Sequence, residues 1–81
     1  MELKIRINLD KVLKERKMKQ KELNDLIEQK FGENKRLRPA TISEICNNQR
    51  STINKEHIEL IASALEIKDV TKLLSFEETS S

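Results

Sequence analysis

Two kinds of hydrophobic spacing divide the chain. From Leu3 to Leu9 apolar and polar residues alternate, with Lys4, Arg6 and Asn8 between Leu3, Ile5, Ile7 and Leu9. That is the period-2 spacing of a half-buried strand. Beyond Leu9 the spacing becomes helical. Leu9, Val12 and Leu13 form the inner face of a first helix that Asn8 can cap, running to about Arg16 with Lys17 at the stop. A second helix starts near Gln20, carries Leu23, Leu26, Ile27 and Phe31, and ends at Gly32. A third opens with Pro39 at its first position and sets Ile42, Ile45 and Cys46 on one edge, with Asn47-Asn48 able to take the left-handed conformation that ends it. Asn54 caps a fourth, which turns Ile58, Ile61, Ala62 and Leu65 inward. A short fifth helix is predicted over about 69–74.

One regularity fixes the register. A hydrophobic staple joins the residue before the N-cap to the fourth helical position, five residues on. With Asn8, Lys19, Arg38 and Asn54 as caps, those pairs are Ile7/Val12, Met18/Leu23, Leu37/Ile42 and Ile53/Ile58, all apolar. The predicted fold is mainly α: a compact bundle of four to five short helices. Residues 1–76 make one domain with a strand over 3–8, and 77–81 are a disordered tail. The strand's only candidate partner is the end of the chain, where Leu74 and Phe76 lie two apart, so a short terminal β-ribbon is expected.

The third helix stands apart from the others. Its buried edge is narrow, and Ala40, Thr41, Ser43, Glu44 and Asn47 leave a wide face of small or polar residues. Such a helix is poor core material and well shaped to lie in a groove.

Composition narrows the function classes. Charged residues are 37% of the chain and the aromatics are two phenylalanines, so the core must be aliphatic and thin. The basic residues are unevenly spread. Residues 1–38 carry twelve Lys/Arg against seven acids, net +5, and residues 39–81 carry four against seven, net −3, which recombine to the overall +2. The cations therefore crowd into the segment leading up to the third helix, which suits a polyanion. The lone cysteine, Cys46, sits on the apolar edge and reads as a small buried hydrophobe; one thiol allows no internal disulfide. His57 stands in the first turn of the fourth helix without metal-spaced partners and reads as structural. With one glycine there is no phosphate-cradling loop, and no nucleophile–base pair or ligand set is spaced for catalysis, so no enzyme, cofactor or metal is expected. No apolar run reaches membrane-span length, and a cytoplasmic, nucleoid-associated protein is expected.

The order of blocks carries a resemblance. Asn8-Leu9-Asp10-Lys11-Val12-Leu13-Lys14-Glu15-Arg16, Met18-Lys19-Gln20-Lys21-Glu22-Leu23, Arg38-Pro39-Ala40-Thr41-Ile42-Ser43, and Ser51-Thr52-Ile53-Asn54 followed by Ile58 to Leu65 span roughly residues 5–74. In this order they resemble the lambda repressor/Cro-like helix-turn-helix regulators, the xenobiotic-response-element family. The sequence departs from that pattern at Lys19, where the family usually has Ser or Thr, at Lys17, where it has glycine, and at Cys46-Asn47-Asn48. Residues 27–37 look like an insertion that lengthens the usual three- or four-residue turn.

The resemblance implies sequence-specific binding of double-stranded DNA by a small prokaryotic or phage-type regulator, a repressor before an activator. A homodimer on an inverted repeat is expected, with no membrane and no small-molecule ligand. The base-facing candidates are Arg38, Pro39, Ala40, Ser43 and Glu44: Arg38 for guanine O6/N7 or a phosphate, Ala40 for a thymine methyl, Glu44 for cytosine N4. The phosphate-facing candidates are Lys19, Gln20, Lys21, Thr41, Asn47, Gln49, Arg50 and Thr52. The alternative is a helical protein-interaction module, an antitoxin or anti-repressor, which would lack salt-dependent DNA binding.

Overall fold

In a computed structural model that describes residues 2–79, all four caps named by the staple pattern stand at helix starts. Strand β1 (Glu2–Ile7) is followed by α1 (Leu9–Glu15), α2 (Gln20–Phe31), α3 (Pro39–Cys46) and α4 (Lys55–Leu65), and strand β2 (Leu74–Thr79) comes last. The N-caps are Asn8, Lys19, Arg38 and Asn54. Only Asn54 caps with its side chain, its Oδ1 accepting from the N–H groups of Glu56 at 2.9 Å and His57 at 3.3 Å. Lys19 has no acceptor to offer, yet its own N–H donates to the Glu22 carboxylate at 3.0 Å, one half of a capping box. Asn8 is drawn away from α1: its Oδ1 accepts from Arg6 at 2.7 Å and its Nδ2 donates to Ser75 Oγ at 3.0 Å.

The helix ends follow one rule with little help from glycine. Lys17, Asn48 and Glu66 take φ of 54°, 54° and 57° after α1, α3 and α4. At each the next N–H reaches back five residues: Met18 to Leu13 at 2.9 Å, Gln49 to Glu44 at 3.0 Å, Ile67 to Ala62 at 2.9 Å. These are Schellman closures, which answer carbonyls that the helix leaves without partners. The single glycine, Gly32, ends α2 at φ 106°. Arg16 and Lys30 add to the closure of α4, donating to the carbonyls of Leu65 at 2.8 Å and Ala64 at 2.7 Å. Cations at a helix C-terminus also oppose its dipole.

Leu9, Leu23, Ile27, Ile42, Ile61 and Leu73 lose all contact with solvent and define the core. One sequence expectation fails here and another is only half met. Phe31, the last residue of α2, is left 42% exposed where the chain turns away at Gly32. On α4 the buried alanine is Ala64, with Ala62 half-buried.

The ribbon forms, with different bounds. β1 and β2 pair antiparallel, Ile7 opposite Leu74, Ile5 opposite Phe76 and Leu3 opposite Glu78. The strand ends at Ile7 instead of residue 8 because Asn8 is already the cap of α1, though its N–H still extends the ladder to the Leu73 carbonyl at 2.6 Å. The fifth helix is reduced to one 3₁₀ turn, Val70–Lys72, capped by Asp69. Pairing with β1 is what prevents it from going on through Leu74. The same pairing carries β2 through Thr79, so 77–79, expected in a disordered tail, are strand; residues 80–81 lie outside the described residues. No helix among the described residues is long and apolar enough to cross a membrane.

Lys17 holds a left-handed conformation that disfavours a side chain bearing Cβ. Lys17→Gly is therefore expected to raise the unfolding free energy by about 0.5–1 kcal/mol, read as a later urea midpoint with unchanged slope.

Candidate nucleic-acid interface

α3 is held at both ends by asparagine side chains that grip backbone. Asn24, on α2, is 3% exposed. Its Oδ1 accepts from the Leu37 N–H at 2.9 Å and its Nδ2 donates to the Leu37 carbonyl at 2.6 Å. Leu37 is the last residue before the Arg38 cap, so this double bond sets where α3 begins. Beyond α3, Asn48 does the same to β1, its Oδ1 accepting from the Ile7 N–H at 2.7 Å and its Nδ2 donating to the Ile7 carbonyl at 3.0 Å. Asn24 was missed in the sequence, although Asn24, Ile27 and Phe31 fall at i, i+3 and i+7. A polar residue inside an apolar stripe is the signal that finds it.

The connection between α2 and α3 is folded back onto α2. After Gly32 comes a 3₁₀ turn, Glu33–Lys35. Arg36 then donates to Glu28 at 2.7 Å and Asp25 at 3.0 Å. These two carboxylates hold the guanidinium against α2, so the longer turn is a second point of attachment.

That ion pair takes one cation off the free surface. Of the twelve basic residues in 1–38, Arg6, Arg16, Lys30 and Arg36 are engaged within the fold, leaving eight without such a bond among the described residues. Arg6 forks onto Asp10 at 3.0 and 3.3 Å and ties β1 to the start of α1. Hydrogen bonding from Arg6 holds the Asp10 carboxyl below the usual carboxylate range. Its share of stability is present above the ordinary aspartate range and is lost as pH falls through the lowered value.

Arg38, Pro39 and Ala40 are exposed at the start of α3, which has no side-chain cap. Lys19, Gln20 and Lys21 are exposed at the start of α2. Ser43, Thr41 and Glu44 are half-buried, and Asn47, Gln49, Arg50 and Thr52 are exposed. The structure joins some of these. Asn47 Nδ2 donates to Ser43 Oγ at 3.4 Å, and Arg50 Nε donates to the Glu44 carboxylate. Thr41, Glu44, Arg50 and Thr52 line a cleft of about 140 Å³ between α3 and α4, beside Asn54 and His57. No hydrogen bond links the α2 group to the α3 group among the described residues.

Two further residues have plain roles. Cys46 is buried under α3, and burial, with Asp10 nearby, pushes its thiol up to about 11. His57 Nε2 lies 3.5 Å from Asn54 Nδ2 in the first turn of α4.

Asn24→Ala leaves the half-buried N–H and carbonyl of Leu37 without their side-chain partner. An unsatisfied buried polar group costs about 1–3 kcal/mol. The variant is expected to lose about 2–3 kcal/mol in urea unfolding, more than Asn8→Ala, whose partners reach solvent.

Over residues 8–78 the chain matches the family model of the Cro/C1-type HTH DNA-binding domain. No curated protein and no solved structure matches it.

Proposed function

The chain belongs to the Cro/C1-type helix-turn-helix DNA-binding domain family, and from that premise we propose that it is a sequence-specific duplex-DNA binder, a small prokaryotic or phage-type repressor acting as a homodimer on an inverted repeat. The domain class binds DNA and regulates transcription. Repression is the simpler outcome because a bound dimer occludes its site. Acting there puts the protein on the nucleoid, in the cytoplasm.

The observation that carries the reading is the start of α3. The family match includes this helix, and Arg38-Pro39-Ala40 stand exposed at its uncapped end while Asn24 grips the residue before it. A recognition helix offers its N-terminal residues to base edges. Arg38 is the guanine or phosphate contact, and Ala40 meets a thymine methyl. Gln20, Lys19 and Lys21 take phosphates at the start of α2, where N–H groups favour anions. Thr41, Asn47, Gln49 and Thr52 are further backbone contacts, and Ser43 lies one turn along the groove face from Ala40.

Glu44 and Arg50 work as an exchange. In the free protein they neutralise one another. On the correct site Arg50 moves to a phosphate and Glu44 accepts from cytosine N4; at guanine or thymine the carboxylate faces acceptors and opposes binding.

Titration on duplexes selected from a random pool is expected to show affinity falling with salt by a log–log slope of about −0.9 per phosphate neutralised. Gln20→Ala weakens all sequences alike, whereas Arg38→Ala changes the preferred base at one position by about 1–3 kcal/mol. A protein-interaction module would show no enrichment of any sequence at low salt. A separate measurement reads the exchange: Glu44→Gln tightens binding to random duplex about threefold or more and narrows the gap to the selected site.

A further inference from the structure

One strand edge of the ribbon is closed near the bundle and open beyond it. In an antiparallel ladder the residues that bond to the partner alternate with residues whose N–H and C=O point away. Asn8 bonds to Leu73, so Arg6, Lys4 and Glu2 face β2, while Ile7, Ile5 and Leu3 turn their backbone groups outward. Asn48 takes both outward groups of Ile7. The outward groups of Leu3 and Ile5 meet no partner among the described residues. Their side chains are 53% and 55% exposed, and Phe76, opposite Ile5, is 70% exposed. β1 also lies outside the stretch matched by the family model, which starts at residue 8.

An open edge with an apolar face invites another strand. Charge and the Asn48 stop together select which one. If a second copy lays its β1 antiparallel on this edge with the two-fold axis at Lys4, Leu3 of each chain faces Ile5 of the other. All four outward groups of each chain are then used, giving four hydrogen bonds. The next position inward is Ile7, already taken, so pairing stops there. An axis at Ile5 instead would need Ile7 and would set Lys4 against Arg6. With the axis at Lys4, Glu2 of each copy faces Arg6 of the other, a guanidinium already shared with its own Asp10. The two Lys4 side chains meet, but each has Glu77 across its own ribbon. Cross-strand opposite charges stabilise a pair. On the other face Phe76, Ile5 and the second copy's Leu3 line up in one apolar row, and the same row repeats about the axis.

We infer that the free edge of β1 is the homodimer interface, pairing two copies antiparallel about Lys4 into a four-stranded sheet in the order β2-β1-β1-β2. The inference deepens the two-fold reading proposed above, and it is tested without DNA, so that its failure leaves DNA binding to be judged by its own titration.

Sedimentation of the full chain is expected to give a dimer. Ile5→Pro removes an outward N–H while sparing every bond to β2; it should yield a monomer with the helical circular dichroism unchanged. Register is read by oxidation. Lys4→Cys places two thiols directly opposite in a non-hydrogen-bonded pair, where Cα atoms lie about 4.5 Å apart, and should cross-link readily. Leu3→Cys, facing Ile5, should cross-link at least tenfold more slowly, and the wild type, with only the buried Cys46, not at all. A monomeric wild type, a dimer that survives Ile5→Pro, or faster cross-linking through Leu3→Cys would each overturn the inference. Loss of the dimer in Phe76→Ser but not in Ile5→Pro would show stacked ribbon faces instead of paired edges.

Discussion

The double hydrogen bond from Asn24 to Leu37 is the constraint on which the arrangement of α3 depends. Seven residues, Gly32 to Arg38, separate α2 from α3, enough chain for many approaches to the same helix. A buried amide side chain that answers one backbone N–H and one carbonyl admits very few of them, because any other leaves polar groups in the core without partners. Hydrophobic burial of Ile42 and Cys46 holds α3 against the bundle but does not say where along its axis it should sit. The asparagine supplies the missing coordinate. Arg36, gripping Asp25 beside the asparagine and Glu28 one turn on, keeps the rest of the connection from pulling on it.

The same division between apolar attraction and polar placement recurs at the other end. Asn48 ends α3 in a left-handed turn and, with its side chain, closes the ladder of β1. One residue thus joins the helix proposed to read DNA to the ribbon proposed to pair two copies. Electrostatics is divided in a similar way. A charge count suggests one basic surface, but the fold spends Arg16 and Lys30 on the end of α4, Arg6 on the start of α1 and Arg36 on the connection.

How much of this was legible follows from the range of the interactions. The four helix starts were legible because staple and cap are local, set by residues five apart. The ribbon was legible from period-2 spacing at both ends of the chain. The left-handed turn at Lys17 was legible only as a helix stop where the family has glycine, and the one at Glu66 not at all, because neither residue favours that conformation; closure of the helix and burial of Met18 and Ile67 against the core outweigh the backbone strain. The fifth helix and residues 77–79 were misjudged for one reason, that strand pairing across some seventy residues overrides local propensity. Within the candidate site, the exposed start of α3 could be read from Pro39 and the small residues after it. The pairing of Glu44 with Arg50 could not, since it depends on how the loop after α3 turns back.

The placement of Cys46 has a consequence for chemical durability. Its sulfur lies on the inner side of the same helix whose outer end is exposed. With the thiol pushed up to about 11, roughly one in ten thousand is ionised near neutral pH, and only the thiolate reacts fast. Oxidants and alkylating agents can therefore reach this atom only after α3 has left the core. Modification of this sulfur reports opening of the core, and its extent under oxidant counts the excursions in which α3 comes away from the bundle.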